Sequence, residues 1–366
     1  MDSVLLDARW LSTGIGAYTL NLVRHLATRT DLRLRAITLP QHAATLRSYC
    51  DDIGVVNAAM YSLKEQFEVA RAARGSKVLH VPHYNAPLFY RGALLVTILD
   101  LTHILDDNYK RTVKSKIYAR PMFQMVSKKA QHIFTLSEYS KRAIVEHLRV
   151  PEEKVTVVYC GVGAHLFPEP LDRARETVQR EFGTTRPYIL FVGNLKPHKN
   201  IPGLLRAHAL MLEKESYDCD LLIIGEDVAS GPSLRDLACR LVITSSVKFV
   251  GRVSDEVLRC AYSAAELTVL PSFEEGFGLP VLESMACGTP VACSRAASLT
   301  EVGGEAAEYF DPHAIESMAY TVGRVLESPS ERARRRQLGF QNAARFTWAG
   351  CAERHLGVYF KHCDRP

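Results

Sequence analysis

No two of the nine cysteines in this 366-residue chain are spaced C-x-x-C, and several sit inside apolar runs, where a thiol behaves as a small hydrophobe. With no signal peptide at the start, that usage excludes a disulfide scaffold and predicts a reducing, cytoplasmic setting. No apolar run approaches the roughly 18 residues of a membrane span, which excludes an integral helical membrane protein. No cluster of histidine, cysteine and acid has zinc spacing. One D-x-D pair is present, Asp218 and Asp220, but it precedes an apolar strand instead of following it. That puts it on the sheet edge away from the expected ligand, so no metal is expected. There is no repeat of fixed short period and no low-complexity segment.

What is present is the composition of a soluble globular protein, 47% apolar and 23% charged, with length enough for two domains. The net charge of +5 is uneven: 22 basic against 15 acidic residues in positions 1–170, then 23 against 25. Ten of the basic residues lie between Lys110 and Arg149, against Glu138 and Glu146. This stretch reads either as a solvated helical face or as a surface for anionic lipid headgroups or a diphosphate-bearing acceptor. Nucleic acid is disfavoured, because no stacking aromatics are interleaved.

Short apolar runs alternate with amphipathic stretches throughout, the pattern of parallel α/β sheets. Strands are predicted at 3–6, 34–39, 77–81, 93–99, 132–136 and 154–158, with helices over 18–28, 112–129 and 138–148. Residues 160–186, poor in apolar side chains and carrying Gly161, Gly163, Pro168 and Pro170, read as an interdomain linker with one helix near 171–182. The pattern restarts with strands at 188–192, 220–224, 247–250, 267–270 and 290–293 and helices near 200–214, 233–243, 254–264, 279–287 and 312–327. The tail from 330 to 362 reads as entirely helical. Two similar α/β halves make a cleft between them the default ligand site.

The densest chemistry lies in PSFEEGFGLPVLESMACGTPVACS, residues 271–294. Glu275 and Glu283 flank a turn, Gly276-Phe277-Gly278, that leads through Leu279 and Pro280 into a helix ending at Gly288. A glycine turn feeding a helix N-terminus suits a phosphate, whereas carboxylates accept hydrogen bonds from sugar hydroxyls. An anion site edged by hydroxyl acceptors describes a pocket for a nucleotide-sugar. After the strand at 188–192, GNLKPHKN (Gly193, Asn194, Lys196 and Lys199 within it) reads as a diphosphate clamp or an exposed basic turn. Gly14 and Gly16 follow the first strand and form a structural turn or a ligand loop, without the third glycine of a dinucleotide fingerprint. Asp100 and His103 follow the strand at 93–99; a carboxylate near an imidazole can orient it, or the pair can be a cap and a surface histidine.

Five segments together carry a resemblance: TGIGAYTLNLVRHL, LSEYSKRAIVEHLRVPEEKVTVVYCGV, FVGNLKPHKNIPGLLRA, VGRVSDEVLRCAYSAAELTVLPSFEEGFGLPVLESMACGTPVACS and LTEVGGEAAEYFDP. The chain resembles glycosyltransferase family 4, retaining enzymes of the GT-B fold, over nearly its whole length. The resemblance implies an α/β architecture of two Rossmann-like domains facing across a cleft: an acceptor-binding domain, 1–165, on which 346–366 packs back, and a nucleotide-sugar-binding domain, 166–345. It implies that Glu283 holds the ribose hydroxyls, Glu275 those of the donor sugar, and the amides of Gly276, Phe277, Gly278 and Leu279 the sugar and diphosphate. Lys199, beside Gly193 and Asn194, would neutralise the leaving diphosphate, while His103, Gly14 and Gly16 would come from the first domain. Many members carry arginine where this chain has Asn194, and His-Asp where it has Leu99-Asp100.

The implied reaction is glycosyl transfer from a nucleotide-diphosphate sugar to a saccharide or lipid-linked hydroxyl, with retention and without a cofactor or metal. The loop GNLKPHKN resembles that of bacterial mannosyltransferases of polysaccharide assembly, which makes GDP-mannose the expected donor; UDP-linked glucose, galactose or N-acetylglucosamine are the alternatives. A nucleotide-sugar epimerase or phosphorylase and a non-catalytic binding subunit are the competing classes. The basic stretch adds a peripheral contact with an anionic membrane at its inner face.

Overall fold

The computed structural model describes residues 2–12, 14–105, 118–214, 218–226 and 233–363. The chain forms two units, Met1–Gly161 with Thr347–Pro366, and Val162–Phe346. Each is built on a parallel sheet. Both are Rossmann-like.

In the first unit the strands are β1 (Asp2–Asp7), β2 (Leu32–Thr38), β3 (Asp52–Val55), β4 (Val78–Val81), β5 (Ala93–Thr97), β6 (His132–Thr135) and β7 (Val155–Val157). Their order across the sheet is β3-β2-β1-β4-β5-β6-β7. β4 is buried at every position, as expected of a strand covered by helices on both faces. Gly16, the first residue of the helix Gly16–Leu26, lies so close to the Leu11 carbonyl that a Cβ there would overlap its oxygen. Only glycine allows that approach.

The second unit holds β8 (Tyr188–Val192), β9 (Asp220–Ile224), β10 (Val247–Val250), β11 (Leu267–Leu270), β12 (Val291–Ser294) and β13 (Glu308–Phe310), in the order β10-β9-β8-β11-β12-β13. The helix Leu171–Phe182 buries Ala174 and Val178 and packs on the helix Asp255–Ala264. Residues from 162 onward thus belong to this unit, and those from Leu171 to Phe182 form part of its helical layer.

The structure corrects the expected elements in three places. The tail is two helices, Pro329–Ala343 and Trp348–Cys363, because Thr347 Oγ1 accepts the Gly350 N–H at 3.1 Å and starts a new helix, while Phe346 is buried edge-on to Phe277. The second of these helices belongs to the first unit, where it packs on the helix Gly16–Leu26. Strands β3 and β13 and the helices Leu63–Ala72 and Leu299–Gly303 were not expected from the sequence. The expected helix over 112–129 is observed as Arg120–Lys129, its earlier part lying outside the described residues.

Candidate functional site

In an open parallel sheet the ligand crevice lies beyond the carboxyl ends of the strands where the strand order reverses. In the second unit that point falls between β8 and β11. The two loops leaving those strands are 193–200 and 271–278.

The first loop ends in a short turn, Pro197–Lys199, and Asn200 at φ 54 caps the following helix, Ile201–Glu213. Asn200 Oδ1 accepts the Gly203 N–H at 3.2 Å and its Nδ2 donates to the Pro312 carbonyl at 2.9 Å, which anchors the residue next to Lys199. The Phe273 N–H donates to the His198 carbonyl at 2.8 Å and ties the two loops together. Lys199 Nζ then meets Glu275 Oε1 at 2.5 Å, with side chains only 13% and 9% exposed.

Glu275 is held from three further directions. Ser272 Oγ donates to the same Oε1 at 2.8 Å. Ser298 Oγ lies 2.9 Å from the Glu275 carbonyl and 3.0 Å from that of Phe277. Ser294 Oγ, at the end of β12, braces the loop through the Leu270 and Ser272 carbonyls at 3.1 and 2.5 Å. The turn then enters the helix Leu279–Ala286 through Gly278 at φ 96, a left-handed conformation that favours glycine, and Pro280 fills the first turn. The positive end of this helix therefore sits four residues or fewer from Glu275.

Glu283 has a different setting. It lies one turn into the helix, and Tyr262, fully buried, donates its hydroxyl to Glu283 Oε2 at 2.8 Å. Burial pushes the Glu283 carboxyl above its usual range; the tyrosine hydrogen bond offsets part of the effect and the charge of Asp255 adds to it. Tyr262 is pushed up in turn by burial and by the Glu283 charge.

Of the residues expected to act, Lys199, Glu275 and the segment Gly276, Phe277, Gly278 and Leu279 thus come together, with Gly193 and Asn194 opening the same loop as Lys199. Asn194 is exposed, and the Gly193 N–H is spent on the Ile224 carbonyl at 3.0 Å. Gly14 and Gly16 lie in the first unit; Gly14 is exposed, and a Cβ added there would meet nothing within 4 Å, while Gly16 is buried. His103 falls in the short helix Thr102–Leu105, which Asp100 caps by accepting the Thr102 N–H at 2.9 Å; the His103 side chain is outside the described residues. Asp218 and Asp220 both pair with Arg186 at the start of β9. Among the described residues no group of three His, Cys, Asp or Glu side chains is placed to hold a metal ion.

The sequence reading missed Ser272, Ser294, Ser298 and Tyr262, which position the two glutamates. It also missed a network at the corresponding point of the first sheet, where β1 and β4 part. Arg9 Nη2 donates to Asp7 Oδ2 and its Nη1 to Glu65 Oε1, each at 2.7 Å. Glu65 Oε2 accepts from Asn85 Nδ2 at 2.9 Å, and Tyr118 donates to Asn85 Oδ1 at 2.7 Å. Burial works against the Arg9 charge, but Asp7 and Glu65 outweigh it and hold the guanidinium above its ordinary pKa. Trp10 stacks on His83 beside this network, with ring centroids 4.0 Å apart.

Two Rossmann-like units, with charged and hydroxyl-bearing loops at the reversal point of the second sheet, define the class of two-domain GT-B glycosyltransferases. A family model described as Glycosyltransferase Family 4 matches residues 12–165, and one described as Glycosyl transferases group 1 matches residues 172–341. The chain belongs to the glycosyltransferases of this family 4 type. It is 27% identical over 366 residues to O-antigen chain mannosyltransferase B of Escherichia coli, covering 95% of this chain and 96% of that one. It is 34% identical over 236 residues to D-inositol 3-phosphate glycosyltransferase of Thermobispora bispora, a match to 61% of this chain that spans about half, 54%, of that relative. Its fold is similar to that of Anabaena HepE solved in complex with UDP-glucose, with a TM-score of 0.80 at 18% identity over 99% of this chain and 100% of that one.

Proposed function

We propose that this glycosyltransferase moves a hexosyl group from a nucleotide-diphosphate sugar, GDP-mannose in the reading we favour, to a hydroxyl of a saccharide or lipid-linked saccharide in cell-surface polysaccharide synthesis. The reaction retains the anomeric configuration, uses no bound metal, and takes place in the cytoplasm at the inner face of the membrane. The observation that carries the reading is the contact of Lys199 with Glu275 at 2.5 Å, beside a helix N-terminus at the reversal point of the sheet. One cation, one hydroxyl acceptor and one positive helix end match the three parts of a donor: diphosphate, sugar hydroxyls and bridging oxygen. We assign donor binding to the second unit together with Gly14 and Gly16, catalysis to His103 as well as Lys199 and Glu275, and acceptor binding to the first unit. The mannosyl choice is supported by the Escherichia coli relative's name, and UDP-sugars remain the second reading because the Anabaena neighbour was solved with UDP-glucose.

In this mechanism Glu275 holds sugar hydroxyls and Glu283 the ribose hydroxyls. The bond from the anomeric carbon to the diphosphate oxygen breaks as the bond to the acceptor oxygen forms on the same face. The acceptor's proton passes to the departing diphosphate oxygen. Lys199, released from Glu275, and the helix N-terminus meet the charge that develops there. The transition state has oxocarbenium character, so exclusion of water suppresses hydrolysis. The test is a screen of GDP- and UDP-sugars against saccharide acceptors with and without a chelator, read by product mass and anomeric configuration. Transfer from one donor with retention and no chelator effect is expected. Release of free sugar or epimer alone, with any donor, would refute the reading.

A further inference from the structure

The helix Leu63–Ala72 in the first unit has two apolar faces. Val69, with Ala73 just beyond the helix end, is fully buried in the core on one face. On the other, Leu63 is 81% and Phe67 60% exposed, four residues apart and so on one side of the helix. Phe67 stacks on Phe89, itself 58% exposed, with ring centroids 4.8 Å apart and planes 13° from parallel. Beside the pair runs a groove of about 490 Å³ lined by Arg71, Arg74 and Arg91. All three arginines are exposed. None is ion-paired among the described residues, whereas Lys64 pairs with Glu68 on the same helix. Residues 61–92 hold five basic side chains against two acidic, and one of those acids, Glu65, is buried against Arg9.

We infer that this patch, Leu63, Phe67 and Phe89 with Arg71, Arg74 and Arg91, docks the protein on an anionic phospholipid bilayer. Aromatic and aliphatic side chains enter the headgroup–acyl boundary while guanidinium groups meet lipid phosphates, and the patch offers both within one face. Charge complementarity selects this occupant. A free phosphate would use the arginines and leave three large apolar side chains in water. A second copy in a two-fold contact would set the same arginines against one another. The inference is independent of the donor and acceptor assigned above.

The test is co-sedimentation with phosphatidylcholine vesicles with and without phosphatidylglycerol. The parent protein should pellet with the anionic vesicles and lose most of that binding at high salt. Replacing the cations (Arg71→Gln/Arg74→Gln/Arg91→Gln) should weaken the partition by about a hundredfold. Replacing the rings (Phe67→Ser/Phe89→Ser) should weaken it roughly tenfold or more. Circular dichroism checks that each variant is folded; if the ring variant is not, the arginine variant decides. Turnover of donor with a soluble acceptor should be unchanged in both, which separates failure of this inference from failure of the transferase reading. The inference is overturned if the parent stays in the supernatant, if both folded variants pellet like the parent, or if the parent is a dimer that the ring variant dissociates.

Discussion

Acidification should loosen the first unit, and one buried ring, His355, carries a defined share of the effect. The helix Trp348–Cys363 carries His355, which is 0% exposed. Its Nε2 meets the Tyr18 hydroxyl at 2.8 Å, and its Nδ1 reaches the Cys351 carbonyl at 2.8 Å. Tyr18 continues to Thr97 at 3.0 Å, Thr97 to His80 Nε2 at 2.8 Å, and His80 Nδ1 to the Tyr359 hydroxyl at 2.6 Å. Burial depresses His355 to about 4, the Cys351 carbonyl works the other way, and His132 adds to the depression. His80 is depressed too, by burial and by His355. Tyr18, Tyr359 and Cys351, which also face the ring, are pushed up and stay neutral.

The sign follows from which state binds protons. Between the ordinary histidine pKa and about 4, the unfolded chain takes up a proton at position 355 that the folded one refuses, so stability is full above that ordinary value and falls with pH. The loss at pH 5 is about 2 kcal/mol, and the limit at lower pH is roughly 3.4 kcal/mol. Both tryptophans, Trp10 and Trp348, lie in this unit, so intrinsic fluorescence follows its urea unfolding. With a slope of about 2 kcal/mol/M, the midpoint should fall by about 1 M between pH 7.5 and 5 from this group alone. His355→Phe should cost about 1–3 kcal/mol at pH 7.5 by leaving the Tyr18 hydroxyl without this partner, yet it should flatten the pH dependence by about 2 kcal/mol. Equal pH slopes in parent and variant would refute the reasoning.

The remaining expectations concern the second unit. Lys199→Ala should lower kcat by about 10²–10³ through loss of charge stabilisation on the leaving group, with the product's anomeric configuration unchanged; a fall in donor affinity alone would contradict its role in the transition state. Because the Glu283 carboxyl titrates above its usual range, donor affinity should weaken on acidification at a higher pH than an exposed glutamate would give. Glu283→Gln should bind donor weakly at every pH, and a retained pH profile in that variant, measured by calorimetry, would count against the assignment.

Sequence reading reached most of the fold because parallel strands covered on both faces appear as unbroken apolar runs, as at 188–192 and 220–224. It singled out Lys199 and Glu275, whose side chains meet in the structure, because strand-end loops are punctuated by glycine and proline and carry charge. It could not reach Ser272, Ser294, Ser298 or Tyr262, since their partners are set by the register of β11 against β12 and by the placing of one helix against another. The miss at residues 63–72 has another cause. There the binary pattern is inverted: Glu65 is inside, stabilised by Arg9 and Asn85, while Leu63 and Phe67 are outside. A pattern rule assumes that charge faces water and apolar groups face the core, so a buried ion network on one side and an exposed aromatic on the other cancel its signal. Such reversals cost stability and persist where something other than the core uses the residues. The helix that was hardest to read is for that reason the one that bears the bilayer-facing patch.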